Sequence, residues 1–337
     1  MGYLHIDTIL DKFVMDHYSQ IPSDLLYGKN GLMVYYAYYA SLHNKKDAKI
    51  YKMISDDIID NTSNASLSIL NGGLVGTGIC LDFILYYLFP DNSDYVLEEI
   101  DQEIYKQSSS IESSDKINLN LIIEIALYIA LRLNHGLKSR PKRSIFTNRI
   151  IDLVEFIYHR LTISYFEESI PFDLFNHLYY FIYTLSKLTK LGINSVRNAK
   201  ILGEIGFVIN IPRLHANKLE LLLFAILINR TTNFQLDVWK DIQSDLIRTI
   251  SIDKIMSKEM REKQIYFRNG KSAIYLLMLL CNKASDSIIF PLTKSDYCNL
   301  ISNHFKEGLM SRKLYPTDKD QLGLNSYWGM KLLSDFL

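Results

Sequence analysis

Seven times along the chain, a strongly apolar stretch of helical length follows a polar or glycine-bearing start. These stretches begin near Gly31, Gly72, Asn120, His177, Asn217, Gly270 and Gly323. Between them lie segments at roughly 4–17, 46–60, 94–106, 147–161, 195–208, 236–251 and 294–306 that carry many more charges. In Asp94 to Lys106, for example, Tyr95, Leu97, Ile100 and Ile104 return at helical spacing amid acidic residues, the pattern of a one-sided helix. A helix that is apolar all round must be buried on more faces than a one-sided one. Alternation of the two kinds therefore predicts an inner and an outer layer, with one helix pair per repeat. The fold class expected is all-α, an α/α toroid of about seven inner and seven outer helices forming a single domain over 1–337. The chain starts on an outer-type segment and ends on an inner-type one, so the last apolar helix is expected beside the first. An open solenoid would need polar caps at both ends, and an irregular helical bundle is the alternative.

The remaining sequence signals agree with helices. All seven prolines, Pro22, Pro90, Pro141, Pro171, Pro212, Pro291 and Pro316, fall in polar breaks rather than inside apolar runs. The polar stretch Gln107 to Lys116 reads as a loop. Leu74 to Phe89 and Leu119 to Leu133, the most apolar runs, each contain an acidic residue and fall short of the roughly 20 residues that span a bilayer. No membrane span and no leader peptide are expected. Thirty-seven basic residues balance 37 acidic ones, so no global field draws the chain to nucleic acid. Cys80, Cys281 and Cys298 form no CxxC pair, and their odd number argues against a disulfide framework. A cytoplasmic location fits.

Leu70 to Leu88, LNGGLVGTGICLDFILYYL, resembles the N-G-L-x-G-x-G signature that opens inner helices of the lanthionine synthetase C-like family. Echoes occur at Tyr27 to Leu32 (YGKNGL), Phe267 to Ile274 (FRNGKSAI) and Gln321 to Met330 (QLGLNSYWGM). The resemblance implies an α/α toroid and peptide cyclisation at a zinc ion, held by a cysteine before the fifth inner helix and an adjacent cysteine and histidine before the sixth. Here the fifth start reads Pro212-Arg213-Leu214-His215-Ala216-Asn217. The sixth places Arg268 and Asn269 where cysteine and histidine would stand. A permanent guanidinium charge repels a cation. The expectation is a pseudoenzyme with no metal and no cofactor, which binds a peptide substrate or precursor peptide in ribosomal peptide maturation.

Candidate site residues follow from the same layout. Parallel inner helices would sum their dipoles at one mouth, and Arg268, Asn269 and Lys271, with Arg213 and His215 before the fifth helix, are expected to make it attractive to anions. Tyr179, Tyr327 and Trp328, with Tyr35, Tyr36, Tyr38, Tyr39, Tyr180 and Tyr183, would line a funnel that grips peptide, or else pack in the core. His177 is the candidate for proton transfer, set against a capping role. Asp82, Glu124 and Glu220 lie inside apolar helices, where a carboxylate must face a cavity, find a partner such as Lys271 or Lys331, or change its pKa. These groups leave open a metal-free peptide- or sugar-modifying enzyme. A scaffold for a partner modifying enzyme is the third alternative.

Overall fold

A computed structural model describes residues 11–12, 14–42, 45–61, 68, 73–89, 94–111, 118–137, 139–261, 265, 267–287, 289–310 and 327–336. Of 45–46, 94–95, 110–111, 304–310, 327–328 and 334–336 it gives the backbone alone. Every regular element among the described residues is helical, as the sequence predicts. The helices are α1 (Lys29–Ser41), α2 (Lys45–Asp60), α3 (Leu74–Phe83), α4 (Glu98–Ile111), α5 (Leu119–His135), α6 (Arg140–Tyr158), α7 (His177–Lys190) and α8 (Ser195–Val208). They continue with α9 (His215–Thr231), α10 (Asp237–Thr249), α11 (Lys271–Ala284), α12 (Lys294–Met310) and α13 (Tyr327–Phe336). The residues divide into two compact units, Met1–Ile100 with Cys298–Leu337, and Asp101–Tyr297.

In the first unit α1 touches α2, α3 and α13. The last apolar helix therefore lies beside the first, and the Lys331 ammonium stands 4.8 Å from the Tyr39 ring centre. All of Lys29 to Ala37 is buried, as an inner helix requires. Gly28 precedes α1 because the chain doubles back tightly there. Its backbone passes so close to Pro22 that a β-carbon would lie 2.1 Å from the Pro22 carbonyl oxygen. Asn30 then ties α1 to α3 by donating to Thr77 Oγ1 at 3.1 Å. Two expectations change. The apolar run after α3 winds into a π turn, Ile84–Leu88, which leaves Tyr86 and Tyr87 about half exposed. Helix α4 runs on to Ile111, so the first part of the expected loop at 107–116 is helical; the rest lies outside the described residues. Of the first predicted outer helix only residues 11–12 and 14–17 are described; Gly72 lies outside the described residues.

The second unit is a regular stack of helix pairs. Helices α5, α7, α9 and α11 pack side by side in chain order, while α6 lies on α5, α8 on α7 and α10 on α9. The assignment of inner and outer layers thus holds for these pairs. Asparagines cap two inner helices: Asn118 accepts from Leu121 N and Asn176 accepts from Leu178 N. At the other end of α5, fully buried Asp101 is surrounded by partners. It accepts from Tyr128 Oη at 2.5 Å, from Arg132 Nη2 at 3.0 Å and from Lys142 Nζ at 2.6 Å. Such a buried anion is tolerable only when fully hydrogen-bonded. Cys281 is completely buried.

Outer helices α8 and α10 meet at Gly206, where a β-carbon would stand 2.8 Å from Val238 Cγ1 and 3.0 Å from Trp239 Nε1. The fully buried indole donates to Leu202 O at 2.8 Å and cannot retreat without breaking that bond. Gly206→Ala should therefore destabilise the protein by about 1–3 kcal/mol despite alanine's better helix propensity. Urea unfolding of the two forms checks this, and an Ala variant as stable as the parent would refute it.

Candidate functional site

The segment between α6 and α7 crosses the starts of the inner helices in the second unit and holds them together. Tyr165 Oη donates to Asn120 Oδ1 on α5 at 2.8 Å. Leu174 N donates to the Arg268 carbonyl just before α11 at 3.0 Å. Asn217 of α9 donates to Glu168 Oε1 at 3.0 Å and to the Ser169 carbonyl at 2.9 Å. The starts of α5, α7, α9 and α11 thus gather at one end, which places Asn217 and Gly270 together as the repeat predicts.

The charge of that end differs from the sequence expectation. Glu168 accepts from the backbone N–H groups of Arg213 and Leu214, at 2.9 and 2.8 Å. Glu259 accepts from those of His215 and Ala216, both at 2.8 Å. Two of the chain's own carboxylates therefore occupy the positive end of α9 that was expected to draw an outside anion. Burial works against the Glu168 charge, but its bonds to Arg213 N, Leu214 N and Asn217 outweigh it and hold the carboxyl below its ordinary pKa. Arg268 is likewise engaged, with Nε and Nη2 on Asp173 at 3.0 and 2.7 Å. Its guanidinium cannot serve as an unclaimed anion receptor. Asn269 and the Arg213 side chain are exposed and Lys271 is half-buried.

Of the two histidines, His177 opens α7 and its Nε2 lies 2.9 Å from Glu124 Oε1. The partner that the sequence did not reveal is therefore an inner carboxylate. His215 Nδ1 accepts from Ser251 N at 3.2 Å. Desolvation, the largest influence on it, lowers its pKa, so it acts as a neutral acceptor holding the next turn. Tyr179 faces the site and stacks on Phe224 at 4.8 Å. Tyr35 and Tyr36 are buried against each other, with Tyr36 donating to Asp11 at 3.0 Å; they serve the core of the first unit. The Tyr327 and Trp328 side chains lie outside the described residues.

Two adjoining spaces result. An open, polar vestibule of about 480 Å³ is bounded by Asn120, Tyr165, Glu167, Asp173, Phe175 and His177, among others. Sharing Tyr165, Glu167, Glu168, Ser169, Asp173 and Asn176 with it is a chamber of about 30 Å³. Tyr179, Asn217 and Glu220 also line the chamber. Glu220 is 3% exposed. Desolvation, reinforced by Asp173, raises its pKa well above the carboxylate range.

The donors at these helix starts do not fit the zinc that the family resemblance implies. Arg268 is a clasped cation, Asn269 a neutral amide, and the one ring nitrogen of His215 with a known bond is committed to Ser251. Cys80 is buried, with its thiol pushed up to about 12 by desolvation. Burial also raises the Cys281 thiol, which points its hydrogen toward the Leu219 carbonyl. A zinc thiolate needs the opposite environment. Among the described residues no three His, Cys, Asp or Glu side chains gather as metal ligands. No known protein family, curated protein or solved structure matches the chain.

Sequence reasoning missed Glu168, Asp173 and Glu259 because they sit in non-repeating connections. The one available signal was the Glu167-Glu168 pair beside Pro171, with no periodicity to say which helix start it would meet.

Two outcomes follow. Glu168→Ala removes an N-terminal cap and should lower stability by about 1–2 kcal/mol, measured by urea unfolding at neutral pH. For Glu220 the folded pKa is raised, so the folded state keeps a proton that the unfolded chain releases near the ordinary carboxylate pKa of 4.5. Its contribution is fully present below that pH and is lost as pH rises. Glu220→Gln should therefore raise the melting temperature at pH 8 more than at pH 4. An equal shift at both would show Glu220 ionised in the fold.

Proposed function

We propose that the chain is a zinc-free relative of the lanthionine synthetase C-like proteins, an α/α toroid whose mouth binds a precursor peptide in the cytoplasm without forming thioether rings. Support for the toroid comes from the two layers of α5 to α11 and from the packing of α13 on α1. For the binding role, the observation that carries most weight is the vestibule itself. The starts of α5 and α7 and the segment between α6 and α7 wall a polar bowl of about 480 Å³, a size suited to a few residues of peptide. The expected charge preference reverses relative to the sequence expectation: with Arg268 and the α9 start neutralised from within, Glu167 and its neighbours favour a basic segment.

A metal-free enzyme is the second reading. It is favoured by the unionised Glu220 acid close to the Arg268-paired Asp173, since two carboxyl groups in contrasting environments are how acid and base roles are divided.

Fluorescence anisotropy with short peptides tests the first reading. A lysine-bearing peptide should bind about 10-fold or more tighter than its glutamate-bearing counterpart, and the preference should shrink on Glu167→Lys and with added salt. Tighter binding of the acidic peptide, or no binding of either, would overturn it.

A further inference from the structure

The chamber beneath the vestibule holds two polar groups that the fold leaves unanswered. The Glu220 carboxyl and Tyr179 Oη both line it, the first residue 3% and the second 6% exposed, and neither makes a hydrogen bond to the described residues. The other polar groups around it are committed. Glu168 accepts from three donors, Asp173 holds Arg268 and accepts from Phe175 N, and the Asn217 amide donates to Glu168 and Ser169. A buried carboxyl with no partner is costly in a fold that satisfies Asp101 with three side chains.

We propose that this chamber is a receptor for a primary ammonium group, such as the head of a lysine side chain, which enters through the vestibule and docks between the Glu220 carboxylate and Tyr179 Oη. The inference rests on the peptide-binding reading and specifies which part of the peptide is recognised.

Size and chemistry select this ligand. A space of about 30 Å³ admits a group about as large as a water molecule. An ammonium head fits on its thin alkyl stem, whereas a planar guanidinium does not. Anions are excluded by Glu220, Asp173 and Glu168. Calcium or magnesium needs six or more oxygens, and Glu168 and Asp173 are already spent on protein donors. Glu220, Tyr179 and the Asn217 carbonyl oxygen can accept up to three ammonium hydrogens, the number that a lysine head presents.

Docking also moves a proton. Without ligand, desolvation and Asp173 raise the Glu220 pKa and so favour its protonated acid; an ammonium docked beside it favours the carboxylate, and the proton leaves to solvent. The titratable groups shown around it are Asp173 and Glu168 from the connecting segment, which line the same chamber, with Tyr179 and Tyr180 on α7, both of which its charge reaches. Because binding expels a proton, affinity should rise with pH until Glu220 is ionised in the free protein.

The test compares a lysine-bearing peptide, blocked at its N-terminus, with the same peptide carrying arginine. Net charge is equal, so the vestibule treats them alike and only the chamber distinguishes them. At pH 7 the lysine peptide should bind about 10-fold tighter. Calorimetry in two buffers of different ionisation enthalpy should show a proton released per lysine peptide bound and none for arginine. Glu220→Gln should abolish both the preference and the proton release while leaving arginine-peptide affinity unchanged. Tyr179→Phe, which alters little volume, should weaken the lysine peptide several-fold, and covers the case in which the Gln variant fails to fold. Equal affinities for the two peptides, or a lysine preference that survives Glu220→Gln, would overturn the ammonium site while the peptide-binding reading stands. If neither peptide binds, both fall.

Discussion

Four backbone N–H groups around the start of α9 must find acceptors, and the protein supplies them from two connections rather than leaving them to solvent or ligand. Glu168 comes from the segment before α7 and Glu259 from the turn before α11. Because each carboxylate is shared between a helix start and a neighbouring loop, capping one helix also fixes the connections that cover α7 and α11. Arg268 on Asp173 and the Leu174–Arg268 backbone bond close the same belt. Without these contacts the vestibule would have no wall.

The belt also decides the electrostatics. Parallel inner helices bring positive ends together, which would ordinarily recommend an anion as ligand. Here the anions are already covalently part of the chain. Their presence offsets the positive start of α9, and Glu167 adds a further carboxyl group to the vestibule wall. The interior carboxylates meet burial in two ways. Glu124 found a partner in His177, while burial and the neighbouring Asp173 raise the pKa of Glu220.

Much of the architecture was legible in the residues. The alternation of all-round apolar and one-sided helices marked out the inner and outer layers of α5 to α11, and the apolar end of the chain foretold that α13 would lie against α1. The starts expected near Gly31 and Gly270 fall at Lys29 and Lys271, after Gly28 and Gly270. The site was legible only in part. His177, Tyr179 and Glu220 stood on repeating helices, where their position singled them out, and Asn217 was read as a helix start. Glu168, Asp173 and Glu259 lie in connections whose path no periodicity reports, so their hold on the α9 start and on Arg268 could not be read there.

The sequence by itself determined that the chain is helical and which of its helices are the more deeply buried. These follow from the identity and spacing of neighbouring residues, which local sterics and burial translate directly into helix faces. Only the tertiary structure decided that Arg268 is spent on Asp173, that the α9 start is capped from two sides, and that Glu220 faces a small chamber without a partner. The partners of Arg268 and Asn217 lie 95 and 49 residues away. At such separations, pairing is set by how loops cross the packed helices, which no local pattern encodes.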